Sequence, residues 1–169
     1  AGTASASSHE WIPSLGVAFS LRADGFGAFF ALLVSGIGIL VGVYSLGYIE
    51  ADLGLARIGR YYAALTAFMG AMLGIALADD LILLFLFWEI TSITSYLLIG
   101  FWYEREAARA GALTALLVTA MGGLAMLAGF ILIGLATGSF ALGEIVADEA
   151  RRSALASSPM FIPALLLVL

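Results

Sequence analysis

The chain is 169 residues long, 63% hydrophobic and 11% charged, with a mean hydropathy of +1.10, which excludes an ordinary water-soluble domain. Its formal charge of −5 sets twelve acidic residues against seven basic ones, all arginine, and offers no clustered basic face for nucleic acid. With no cysteine and a single histidine, His9, the chain has no disulfides, thiolate metal sites, cysteine nucleophiles or multi-histidine metal clusters, and no cofactor is expected.

The opening AGTASASSHE lacks a basic stretch followed by an apolar one, so it is not a secretory leader, and residues 1–9 are expected to be exposed. Between Glu10 and Arg22, Pro13 and Gly16 act as breakers, and Val17, Phe19 and Leu21 then alternate with smaller or polar residues. That alternation predicts a short strand or hairpin at the membrane surface, making 1–23 an extramembrane segment. Asp24 stands at a helix N-cap position before the first spanning helix, residues 25–49. Within it, Gly36, Gly38 and Gly42 with Ser35 predict close helix–helix packing. A polar break up to residue 60 follows, so that 24–60 form one helix and its loop. The break carries Arg57 and Arg60, and Tyr44, Tyr48, Tyr61 and Tyr62 flank it as an interfacial belt.

The remainder, 61–169, forms a third unit. It starts with a helix over 61–78 and a two-residue turn, Asp79–Asp80, either of which can cap the next helix. The run from Leu81 to Phe101 is long enough to span the ~30 Å hydrocarbon layer. It ends at Trp102–Tyr103 and a charged turn, with Arg105 and Arg109 as interfacial anchors. A fourth helix covers 110–136, where Gly122–Gly123 marks a close approach or a bend. The polar link Thr137–Ser158 holds a short interfacial helix near Leu142–Leu155. Pro159 and Pro163 open a fifth helix. Its run Met160–Leu169 covers roughly 15 Å, half a bilayer, so the chain is expected to be a piece of something longer. The fold class is all-α polytopic membrane protein with a short strand or hairpin before its first helix. Four arginines in loops 49–60 and 103–109, against Arg22, Arg151 and Arg152 opposite, predict an N-terminus outside a plasma membrane.

Eleven of the twelve acidic residues lie between or at the ends of apolar runs; the exception is Glu89, near the middle of the third helix. An ionised carboxylate there costs roughly 2.5–3.5 kcal/mol on insertion scales, so the group is partnered, wetted by a cavity, or protonated. Ser92 and Tyr96 fall at i+3 and i+7, on its face, while Thr91, Thr94 and Ser95 fill much of the following turn and a half. These hydroxyls can bond neighbouring helices, satisfy backbone carbonyls, or hold waters beside the carboxylate. Two readings follow. Glu89 is a protonatable station in a proton path, supported by Ser92, Tyr96, Thr91 and Ser95, or it is a permanently protonated tie between helices. A single carboxylate without an internal basic partner is no switch by itself, so its counter-charge must come from another segment or chain.

SLRADGFGAFFALLVSGIGILVGVYSLGYIE resembles the N-terminal signature of the antiporter-like subunits shared by Mrp-type multisubunit Na⁺/H⁺ antiporters and respiratory complex I. ADDLILLFLFWEITSITSYLLIGFW resembles the start of their common proton-translocation domain, and FWEITSITSYLLIGFW is more like the A-type Mrp sequences than the complex I ones. GALTALLVTAMGGLAMLAGFILIG and FIPALLLVL continue the likeness, which covers about residues 10–169. The resemblance implies a fold of inverted five-helix repeats, the first beginning at the second helix here, with two helices before Ala1 and most of the protein after Leu169. It also implies that Glu89 pairs with a lysine on the helix opened by Pro159, outside these residues. Asp24, Asp79 and Asp80 match positions near helix ends, as caps.

The function implied is that of a proton-translocating subunit of a cation/H⁺ antiporter, embedded in lipid among other membrane subunits, with H⁺ and Na⁺ as the transported ions. Two alternatives remain. One is a proton-pumping subunit of a complex I-like or hydrogenase-linked redox enzyme; the other is a passive assembly subunit. No carboxylate cluster for Na⁺ or another metal is expected inside the membrane.

Overall fold

In the computed structural model, which describes residues 5–49 and 54–169, the chain opens as a hairpin. Strand β1 (Ser5–Ile12) runs antiparallel to β2 (Val17–Ala23), with Ser7 opposite Leu21 and His9 opposite Phe19. A one-turn 3-10 helix at Pro13–Leu15 joins them, and Gly16 closes the turn at φ +66°, a region open to glycine at little cost. The strand begins earlier than the alternation predicts. Ser5–His9 have no apolar rhythm and are placed by their ladder to β2, leaving β1 exposed from Ser5 to Trp11.

Seven α-helices follow among the described residues: α1 (Gly25–Tyr48), α2 (Leu55–Leu77), α3 (Leu81–Ile99), α4 (Glu106–Thr137), α5 (Leu142–Ala147), α6 (Glu149–Ser157) and α7 (Phe161–Val168). The stretches Gly25–Gly47, Leu55–Leu77, Leu81–Trp102 and Glu106–Thr137 are long and apolar enough to cross a membrane. Asp24 caps α1 as expected, its Oδ1 accepting the Gly27 N–H at 2.7 Å. Much of α1 faces outward through Phe26, Leu32 and Leu40, which suits a hydrocarbon solvent rather than water.

Two helix starts differ from the sequence expectation. The second helix begins at Leu55 rather than at residue 61, so Arg57 and Arg60 belong to its first two turns. Gly54, at φ +76°, ends the preceding segment, and arginine is a good helix former. The fourth helix starts at Glu106, whose charge complements the helix dipole there. In both places a polar first turn looks like a loop when hydropathy alone is read. The expected interfacial helix is two helices, α5 and α6. They break at Asp148, whose Oδ1 accepts the Ala150 N–H at 2.9 Å and caps the second. Residues 1–4, residues 50–53 and the Tyr48 side chain, part of the predicted belt, lie outside what is described.

Helix α3 lies between α2 and α4, α1 packs on α2, and α7 packs on α4. Glycines allow several of these approaches. The Phe87 ring sits where a Gly74 side chain would stand, and Met69 fills the place of one at Gly38. Gly36 and Gly42, expected as packing glycines, face open space because α2 meets α1 along the Gly38 line. A core of Leu81, Met126, Phe130 and Ile145 joins α3, α4 and α5.

Candidate functional site

The turn between α2 and α3 fixes the depth of α3, and Asp79 and Asp80 divide the work. Asp80, 2% exposed, is the cap: Oδ1 accepts the N–H groups of Ile82 at 2.9 Å and Leu83 at 3.1 Å. Its Oδ2 accepts the Ala18 N–H of the hairpin at 3.3 Å. Asp79 caps nothing. Its Oδ2 takes Arg22 Nε at 3.1 Å and Nη2 at 3.0 Å, and its Oδ1 takes the Gly143 N–H at 3.0 Å. Backbone bonds reinforce the join: Asp79 N–H donates to Ser20, Leu142 N–H to Asp79, and Leu81 N–H to Phe140. Hairpin, α3 and α5 are thus tied at one end of the bundle. Sequence spacing carries no trace of the Arg22–Asp79 pair; an arginine ending a strand is a faint signal at most.

From that anchor α3 runs inward, and Glu89 lies eight residues past Leu81, ~12 Å along the axis. Its Oε1 is buried and has no hydrogen-bond partner among the described residues. The carboxyl rests against α4 at Gly123, where a side chain would overlap Oε1, and the Trp88 ring borders the same position. Gly122, the next residue on α4, faces open space. Of the two glycines that sequence singled out, one meets the carboxylate.

The surrounding hydroxyls turn back on their own helix. Thr91 Oγ1 donates to the Trp88 carbonyl at 2.6 Å and Ser92 Oγ to the same oxygen at 3.3 Å. Thr94 Oγ1 donates to the Ile90 carbonyl at 2.7 Å. Of the options left open by sequence, backbone satisfaction is what these three adopt, and each oxygen keeps lone pairs with which to accept. Ser95 and Tyr96 make no hydrogen bond to Glu89, and no described basic side chain pairs with it. Tyr96 instead lines a cleft of 990 Å³ with Arg57, Arg60, Leu97 and Arg109, at the far end of α3 from Asp80. Glu89 is not among the residues lining that cleft. A cleft open between helices needs no chemistry to explain it, whereas a buried carboxyl oxygen without a partner does.

At that far end Arg57 is held by Glu104 at 2.8 Å and lies over the rings of Phe101, Trp102 and Tyr103 at 5.3, 5.0 and 5.3 Å. The hydrogen bond from Arg57 holds the Glu104 carboxyl below its ordinary value of 4.5. Arg105 stacks on Trp102 at 5.4 Å and Arg109 donates to the Tyr103 carbonyl at 2.7 Å. No group of three histidine, cysteine or acidic residues able to hold a metal occurs among the described residues.

Residues 78–169, more than half of the chain, match the family model described as NADH:quinone oxidoreductase/Mrp antiporter, TM. The chain belongs to that family. Residues 11–62 match a second family model, described as NADH-Ubiquinone oxidoreductase (complex I), chain 5 N-terminus. Among curated relatives, the A1 subunit of the Na(+)/H(+) antiporter from Staphylococcus haemolyticus is 46% identical over 160 residues, 95% of this chain and 19% of that protein. Its counterpart from Staphylococcus aureus is 44% identical over the same share of each. A chain in the structure of the Mrp complex from Dietzia sp. DQ12-45-1b matches with a TM-score of 0.85 and 34% identity, covering 99% of this chain and 18% of that one. The family resemblance drawn from the sequence motifs is therefore borne out, and so is the polytopic helical fold with its leading hairpin. The chain spans 19% of the length of the curated relatives it matches.

Proposed function

We propose that this chain supplies a proton station to a multisubunit cation/H⁺ antiporter of the Mrp type, and that Glu89 is that station. The observation that carries the reading is a carboxyl at mid-depth of a spanning helix, with one oxygen buried and unpartnered. Left ionised and unpaired, such a group is strongly disfavoured, so it holds a proton or meets a cation on an adjoining segment. Exchanging the two is the elementary step of proton relay. The names of the relatives support Na⁺ as the exchanged cation and other membrane subunits as partners. The family resemblance implies a lysine as the counter-cation, on the segment that α7 opens. The packing of α7 is compatible with that. Ala164, Leu167 and Val168 sit on α4 at Gly129, six residues or ~9 Å of helix from Gly123. Units 1–23, 24–60 and 61–169 then stand for the outer hairpin, the N-terminal family helix with its following segment, and the start of the proton-translocating repeat, the 60/61 boundary falling inside α2. By the arginine count, the hairpin end faces outward.

The decisive experiment is Glu89→Gln in the assembled complex, which keeps shape and hydrogen bonding while removing ionisation. Cation-dependent H⁺ movement in membrane vesicles is expected to fall to background with normal complex levels. Full exchange in that variant would leave only the assembly role. Because both family descriptions also name complex I, or its NADH:quinone oxidoreductase activity, a redox-driven pump is the second reading. Copurifying iron–sulfur or flavin subunits would favour it, and all-membrane partners the antiporter.

A further inference from the structure

We infer that Gly123 of α4 is the positioning residue for the Glu89 carboxyl, its missing side chain forming the seat in which Oε1 rests. This inference rests on the proton-station reading above and deepens it. A side chain at Gly123 would overlap Oε1 directly, with the Trp88 ring at 3.6 Å on the flank. The carboxyl cannot keep its place on α3 unless α4 is bare there. A flexible glutamate could swing away, but only by leaving the position in which its Oε1 is buried against α4.

The seat is also electrostatically isolated. Among the described residues, α3 bears no other charge, and its Tyr96 lies seven residues on, beside the other cleft. On α2 the charged and titratable groups are Arg57, Arg60, Tyr61 and Tyr62, in its first two turns. On α4 they are Glu106 and Arg109, the nearer one ~21 Å along the helix from Gly123. Neither α7 nor the stretch of α1 that meets α2 carries a charge. The hairpin's Arg22 is bound to Asp79. Displacing the carboxyl from Gly123 therefore moves Oε1 out of the buried position it holds between α3 and α4.

The fold provides its own control, since a methyl group at Gly122 meets nothing within 4 Å. Gly122→Ala and Gly123→Ala make the same chemical change, one residue apart on one helix, with the same gain in helix propensity. The test uses the complete complex in native membranes. It has three readouts: complex level, the rate at which a hydrophobic carbodiimide labels Glu89 across a pH series, and the pH profile of exchange. Gly123→Ala is expected to change the labelling rate several-fold, shift its pH midpoint, and lower exchange about 10- to 100-fold, the scale of a displaced catalytic group. Gly122→Ala is expected to match the native complex. Shortening the acid should relieve the overlap, so Gly123→Ala combined with Glu89→Asp should label like Glu89→Asp alone, a strongly non-additive pair.

Labelling and pH midpoint for Gly123→Ala equal to those of Gly122→Ala would overturn the proposal. So would additive losses in the double variant, which would reduce Gly123 to a helix-packing residue. If Gly123→Ala does not assemble, assembly restored by Glu89→Asp supports the seat and assembly not restored overturns it. Exchange that survives Glu89→Gln would defeat the proton-station reading, while carbodiimide labelling would still report whether Gly123 positions the carboxyl.

Discussion

Arg22 and Asp79 stand 57 positions apart in the chain and meet through two nitrogens on one oxygen, Nε at 3.1 Å and Nη2 at 3.0 Å. The guanidinium also covers Gly143, whose N–H donates to the other oxygen of the same carboxylate. One acidic side chain thereby holds the hairpin, the start of α3 and the short helix α5 in register. A two-stranded hairpin is marginal alone. Here it is tied to the element that carries Glu89.

Arg22→Lys should loosen this tie although the charge is kept, because an ammonium cannot present two nitrogens in a fixed fork. The pair is partly open to solvent, Arg22 being 38% exposed, so the expected cost is about 1 kcal/mol. Amide exchange at Ala18–Ala23 should quicken while the amides in the middle of α3 stay protected. Unchanged exchange in the hairpin would show that the backbone bond from Asp79 to Ser20 suffices alone.

Asp80→Ala removes the acceptor of three backbone N–H groups at a nearly dry site, whereas Asp79→Ala leaves the cap intact. A lost cap typically costs about 0.5–2 kcal/mol, and the orphaned Ala18 donor places this one at the upper end. Asp80→Asn keeps an acceptor at Oδ1 and should recover most of it. Thermal unfolding in detergent would rank the native protein first, then Asp80→Asn, then Asp80→Ala; equal midpoints would contradict the assignment of the cap.

At the other end, Arg57 holds the Glu104 carboxyl below 4.5 by hydrogen bonding, helped by a backbone hydrogen bond. A carboxylate whose folded value is depressed adds stability above its unfolded value and loses it as pH falls through the folded value. The Arg57–Glu104 tie should thus persist on acidification to pH 4.5 and open only below it. A carbonyl-carbon NMR titration of Glu104 would follow this directly. Arg57→Gln should bring its midpoint back toward 4.5, and a midpoint that stays put would assign the shift to the backbone.

Signals that live within a few residues of chain were legible without coordinates. The apolar runs gave four spans, Asp24 announced its cap, Gly16 and Pro13 marked a hairpin, and Glu89 stood out as the lone charge at membrane depth. The same local reading put the start of the second helix six residues late, since Arg57 and Arg60 look like loop to a hydropathy average. It also treated Gly36, Gly38 and Gly42 alike, because glycine spacing does not say which side of a helix its neighbour occupies.

By itself, then, the sequence determined how many times the chain can cross a bilayer and which acid is stranded within it. These follow from side-chain hydropathy and helical period, properties that need no partner. Only the tertiary structure decided that Asp80 caps while Asp79 clasps Arg22, that Thr91, Ser92 and Thr94 spend their hydroxyls on their own backbone, and that Gly123 rather than Gly122 faces Glu89. Each of these depends on how helices are rotated and staggered against one another. That setting is fixed by packing between residues tens of positions apart, which no short window of sequence contains.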